Sequence, residues 1–295
     1  MADQFDVIEA GERGRRRWIG LVVVLALLLI PVVGLLASRD PEPEPEAAPA
    51  SRTPGPIRSL TTLDNAPNIL NVPARKKGDD EVIQVVFPHG ARAEVRYPGE
   101  LGLAAMGSRP FRAGWIDGTF RQFVAPYGGE VEITRGGRPL RNYASNVTLW
   151  PRQAGSGQYG QVLLFAFGPW RLAMYDRGQG LTFEQRMTVA ESLKGRVTKD
   201  GYLVLTARGG VRLAEPGEHV QGEPVGPQLW FGGGAGQMVA LVPTPDCEQQ
   251  VRTPGAIERP GRRAEMVCRG DVLVAATGPA PFRTKAISGI RVTMK

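Results

Sequence analysis

Ala91-Arg92-Ala93-Glu94-Val95-Arg96-Tyr97 alternates small or apolar residues with charged ones without a break. A period of two puts Ala93, Val95 and Tyr97 on one face of an extended chain and the charges on the other, the mark of a half-buried strand. Upstream, Val82–Phe87 is apolar and β-branched. Downstream, short runs of strand character recur at Gly129–Thr134, Asn146–Trp150, Gln161–Phe167, Trp170–Tyr175, Tyr202–Thr206, Met238–Val242, Glu265–Cys268, Val272–Thr277 and Gly289–Thr293. Pro98-Gly99, Gly128-Gly129, Gly136-Gly137, Gly168-Pro169 and Gly209-Gly210 punctuate them. Short strands separated by glycine and proline predict a mainly β (α+β) domain of antiparallel sheets.

One helix is predicted with all its signals, over 182–194. Thr182 and Gln185 make a capping box, and Phe183, Met187, Ala190 and Leu193 share a face. Lys194 stands in the last turn, and Gly195 fits the C-terminal glycine position. A second helix is expected near Leu101–Met106. Gly168-Pro169 and Gly278-Pro279 both follow apolar strands, but their flanks do not match as a repeat.

At the other end of the chain, Trp18–Ala37 carries no charge for twenty residues. A helix of that length spans about 30 Å, the hydrocarbon core of a bilayer. Arg13, Arg15, Arg16 and Arg17 precede it, Trp18 sits at its interface, and Arg39 alone follows closely. Basic residues stay on the cytoplasmic side, so the N-terminus is expected inside and the bulk of the chain outside, in a single pass of the plasma membrane. The rival reading is a cleaved signal peptide. It meets an apolar run too long for one and Leu35 at a position that wants a small side chain.

The expected organisation is a cytoplasmic tail (1–17), a transmembrane helix (18–37), a Pro/Glu-rich stalk and irregular linker (38–80), and an extracytoplasmic β-rich domain (81–295). The stretch 152–160 either divides two subdomains or forms a long hairpin. Glycine and proline make up 63 of 295 residues, which favours turns and short strands over long helices. From residue 51 onward, 31 basic residues face 21 acidic ones. Such a surface suits anionic lipids or wall polymers as partners besides the bilayer itself. No nucleic-acid motif is present, so no nucleic-acid partner is expected.

Cys247 and Cys268 are the only cysteines. Outside the membrane an even pair reads as a disulfide. With His89 and His219 isolated in turns, no metal site, cofactor or catalytic set is read. Phe231–Gln237 is glycine-rich but lacks the Gly-Lys-Ser/Thr end of a phosphate loop. Arg112, Trp115, Arg121, Trp170 and Arg171 interleave aromatic and basic side chains and are the candidate binding surface.

Phe165-Ala166-Phe167-Gly168-Pro169-Trp170, followed by the helix ending Val189-Ala190-Glu191-Ser192-Leu193-Lys194-Gly195, resembles actinobacterial envelope proteins with one membrane helix, a Pro/Glu stalk and a β-rich exterior domain. The same run is similar to lipoprotein-type half-barrel domains that bind apolar ligands. The resemblance implies an envelope location and no particular activity. The expected function is non-enzymatic binding or sensing at the outer face. The alternatives are an accessory subunit of a membrane complex and a hydrolase of wall or lipid polymers.

Overall fold

The alternating run forms the strand Arg92–Pro98, with Ala93, Val95 and Tyr97 fully buried and Arg92 and Arg96 exposed. The structure is a computed structural model and describes residues 68–152, 160–178, 180–233, 236–247, 252–255, 257 and 263–295. The tail 1–17, with Arg13, Arg15, Arg16 and Arg17, the apolar run 18–37 and most of the stalk lie outside the described residues. No helix among the described residues is long and apolar enough to cross a membrane.

The chain opens with β1 (Arg75–Lys77), β2 (Asp80–Val86) and β3 (Arg92–Pro98), a 3-10 turn at Gly99–Leu101 and the short helix α1 (Leu103–Met106). Then come β4 (Ser108–Ile116), β5 (Thr119–Val124), α2 (Gly129–Thr134), β6 (Arg141–Ala144), β7 (Val147–Trp150), β8 (Val162–Phe167), β9 (Trp170–Tyr175), α3 (Phe183–Ser192) and β10 (Lys194–Val197). A second run follows: β11 (Leu203–Thr206), β12 (Val211–Leu213), the small pair β13 (His219–Val220) and β14 (Glu223–Pro224), β15 (Gln228–Gly232), β16 (Met238–Pro243), β17 (Ala264–Arg269), β18 (Val272–Thr277), α4 (Ala280–Gly289) and β19 (Arg291–Met294).

The two runs share one order: hairpin, hairpin, helix, strand. In the first these are β4–β5, β8–β9, α3 and β10; in the second, β15–β16, β17–β18, α4 and β19. The main sheet repeats the order as a mirror. It reads β17-β18-β16-β15, then β4-β5-β9-β8, with β7 and β6 added at one end and β12 laid against β4. The antiparallel contact of β15 with β4 lies at its centre, with Leu229 opposite Pro110. Pro-Gly-Glu also recurs, at 98–100 and 216–218, after the opening strands of each run.

The outer layer exchanges strands between the runs. β10 ends the first run and pairs with β11, which starts the second. β19 ends the second run and pairs with β3 of the first. Two cores result. One packs Phe123, Leu163, Phe165 and Met174 of the sheet against Val189 within α3, Leu193 just after it, and Leu203 and Leu205 of β11. The other packs Phe231, Val239, Leu241 and Val274 against Ile83 and Val95 of β2–β3, with Phe282, Ala286 and Ile290 at α4. Burial of each such side chain contributes about 1.5–3 kcal/mol, so both layers are held mainly by apolar contact. Gly195 lets β10 approach the sheet: a Cβ there would lie 2.3 Å from the Phe167 ring.

The predicted helix forms as α3 with the Thr182–Gln185 capping box in place, but it stops at Ser192: Lys194 and Gly195 belong to β10 instead of the helix end, and Phe183 is exposed, so the buried side is carried by Val189, Ala190 and Leu193. The expected helix near Leu101–Met106 is α1 with its 3-10 lead-in. Gly129–Thr134 departs from expectation: it is helical, not a strand. Its Val-Glu-Ile alternation mimics a period of two, but adjacent Ile133 and Thr134 are both buried. Glu132 accepts a hydrogen bond from the Gly128 N–H at 2.8 Å, and Glu130 and Glu132 suit the positive helix N-terminus.

One boundary also shifts, and the stretch 152–160 follows its hairpin reading. Ordered contacts begin before Glu81: the Asn68 amide donates to Arg171 O at 2.7 Å and Pro126 O at 3.1 Å, and Leu70 bridges to Ser108. The strands flanking 152–160, β7 and β8, pair with each other in the main sheet.

Candidate functional site

The turn between β2 and β3 carries His89. Phe87 N–H donates to Ala91 O at 2.9 Å and Gly90 N–H to Phe87 O at 2.8 Å. Gly90, at φ +100°, takes a backbone conformation that side chains resist. Leu205 N–H of β11 donates to Pro88 O at 2.8 Å, so the opening strands of the two runs meet at this turn.

Arg112 of β4 lies beneath it, its side chain only 5% exposed. Its guanidinium donates to Leu205 O, to Ala214 O and to the Glu215 carboxylate, each at 2.9 Å. These bonds tie β4, β11 and the segment after β12 together and fix the charge in place. Most of the carboxylate partner is in solvent: the Glu215 side chain is 63% exposed. Burial lowers the Arg112 pKa, with the Glu215 and Glu218 charges opposing the effect.

β12 brings the third wall. It pairs with β4 so that Leu213 faces Gly114. A Cβ at Gly114 would sit 2.5 Å from Arg212 O, so only glycine admits β12 at this distance. Arg212 then lies over the Trp115 ring at 3.8 Å and pairs with Glu218 at 2.6 Å. Exposed Arg208 stands in the turn between β11 and β12. Together these elements enclose a cleft of about 580 Å³ lined by His89, Arg112, Leu205, Arg208, Arg212 and Glu215, among others. That volume falls within the range of small-molecule sites.

The His89 imidazole is pushed down to about 4 from the ordinary 6.5, first by burial and then by the Arg112 charge. Its Nδ1 is buried with no hydrogen-bond partner among the described residues. At neutral pH it is uncharged in both the folded and unfolded chain. Between 6.5 and 4 the unfolded chain takes up a proton that the folded chain refuses, so stability falls as pH falls through that window. The urea midpoint is therefore expected to drop between about pH 7 and pH 4.5, and to drop less in His89→Gln. Identical pH slopes in the two proteins would contradict this placement of His89.

The five residues of the predicted binding surface do not share one face. Arg112 is the cleft floor, and Trp115 is the half-buried platform under Arg212. Arg121 turns to Asp176 at 2.9 Å. Trp170 is buried and donates to Gly201 O at 2.8 Å; Arg171 is buried and pairs with Glu130 at 3.0 Å. Inward-facing strand positions meet carboxylates and carbonyls here, so alternation of aromatic with basic residues reports packing as much as recognition. Sequence reading passed over Arg208, Arg212 and Glu215. The only signal was Gly209-Gly210, which marks the turn but not what it faces.

Cys247 and Cys268 form a disulfide, Cα–Cα 5.6 Å. It joins the connection after β16 to β17, on the face of the sheet opposite α4. Among the described residues no group of three or more His, Cys, Asp or Glu is placed to hold a metal ion. The cleft's chemistry is that of a buried cation at Arg112, a neutral imidazole at His89 and the exposed Arg208 turn at the rim, with the Arg212 guanidinium held aside on Trp115 and Glu218. No family model, no curated protein and no solved structure matches the chain.

Proposed function

We propose that this chain is a membrane-tethered cell-envelope protein whose β domain lies outside the plasma membrane and binds a ligand, without turning it over, in the cleft where the two runs meet. Residues 18–37 supply the tether and Arg13, Arg15, Arg16 and Arg17 its direction. The Cys247–Cys268 disulfide is consistent with an oxidising compartment.

The observation that carries the binding reading is Arg112. A buried guanidinium held by two carbonyls and one exposed carboxylate presents a fixed charge to an open cleft. A protein-free extract of the cell envelope is expected to raise the melting temperature of the full chain in detergent micelles, since a ligand for the folded state stabilises it by mass action. Arg208→Glu/Arg212→Glu is expected not to respond. An equal response in both proteins would place binding elsewhere.

A further inference from the structure

On the tether reading of residues 18–37, we infer that the solvent-facing side of the β1–β2–β3–β19 sheet docks on the anionic headgroups of the bilayer that holds the tether. Pairing register defines that side. Arg75 lies opposite Val82, Val82 opposite Arg96 and Arg96 opposite Arg291, so the four strands present one row. Directly opposed residues share a face, and every second residue along each strand joins them. The face therefore also holds Lys77 of β1, Arg92 of β3 and Lys295 after β19. All six basic residues are exposed. The reverse side of the same strands carries Ile83, Val85, Val95 and Tyr97 into the core, which fixes the charges on a rigid layer.

Two carboxylates, Asp80 and Glu94, share the face, and both are engaged within it. Arg96 pairs with Asp80 at 2.5 Å, and Lys295 donates to Gln84 at 2.6 Å and lies 3.5 Å from Glu94. The Gln84 amide, then Lys295 and Lys77, hold the Glu94 carboxyl below its ordinary range, so charges from β1 and from the chain end act on one point. Asp79 stands at the rim, in the β1–β2 turn. Arg75, Lys77, Arg92 and Arg291 have no carboxylate within ion-pair distance among the described residues. Strands about 4.8 Å apart keep neighbouring charges inside the Debye length of about 8–10 Å, so their potentials add. A surplus spread over a flat sheet suits an extended anionic surface; one small anion would need converging donors. The length of the chain selects the bilayer among such surfaces. The described chain starts at Asn68 and β1 at Arg75, and thirty residues, 38–67, separate Asn68 from the apolar run. They reach at most about 100 Å, so the tether keeps this face near one lipid surface at high effective concentration. A soluble polyanion has no such advantage.

The test uses the full chain reconstituted in phosphatidylcholine vesicles, with and without phosphatidylglycerol, and a neutral amine reagent added outside. Lys77 and Lys295 are expected to label about fivefold more slowly when phosphatidylglycerol is present, and the protection should disappear at high salt. In Arg75→Gln/Arg92→Gln/Arg291→Gln, whose exposed positions leave the fold intact, Lys295 should label at the phosphatidylcholine rate in both vesicles. Equal labelling of the wild type in the two vesicles, or undiminished protection in the triple variant, overturns the inference. So does protection by added polyglutamate with none by phosphatidylglycerol, which assigns the face to a polymer. Extraction of the chain from the vesicles by alkaline carbonate shows that the tether has failed; retention with unchanged labelling shows that the face has.

Discussion

Asp176→Ala is expected to destabilise the domain by about 3–5 kcal/mol, the usual result of removing one partner from a buried ion pair. Asp176 follows β9, and its side chain is fully buried. One carboxylate oxygen accepts from Arg121 of β5 at 2.9 Å; the other accepts from Arg186 of α3 at 2.7 Å. Both also lie within 2.9 Å of the Leu181 N–H, at the entry to α3. The variant leaves two guanidiniums, 10% and 16% exposed, facing each other across an emptied site.

A loss of that size is a large share of a typical domain's 5–15 kcal/mol. It should lower the melting temperature by on the order of 10 °C. Asp176→Asn keeps the shape and loses the charge, so its loss should approach that of the alanine variant. A cost below about 1 kcal/mol in both variants would mean that the two arginines find equivalent partners elsewhere, and that this carboxylate does not lock α3 to the sheet.

Removing the disulfide is the second large effect. Cys247 and Cys268 are 21 residues apart, and a closed loop of that size restricts the unfolded chain by about 3 kcal/mol. Cys247→Ser/Cys268→Ser should show that loss in urea. Reductant should bring the wild type down to the same midpoint and leave the variant unmoved. Cys247 is also buried beside Trp230, Met238 and Ile257, so part of the cost is packing under the sheet. Free labelling of both thiols in the native, unreduced protein would contradict the pairing.

Much of the fold was legible in the sequence. A period of two located β3, and the capping box located α3 to within two residues. The cysteine pair was readable from parity together with the expected oxidising compartment. α4 was less visible: Phe282, Ala286 and Ile290 make a thin stripe, and Pro281 near its start reads as a breaker although proline is tolerated there. The repeated order of hairpins, helix and strand left almost no trace in residue identity. It is a property of connection and pairing, which many apolar sequences satisfy equally.

The cleft was the least legible part. It is assembled from a turn at 87–91, a strand at 108–116 and a turn at 206–211. Only the exchange of strands between runs brings them together. Arg112 was singled out for its neighbours in sequence, whereas its role comes from carbonyls 93 and 102 residues away.

The central claim is that residues 18–37 hold the β domain outside the cell. Protease added to intact cells tests it most directly. Cleavage within the Pro/Glu stretch 38–67 and loss of the β domain from the cell pellet are the predicted results. Full protection until the cells are lysed, or recovery of the intact chain in a soluble fraction without detergent, would contradict the claim.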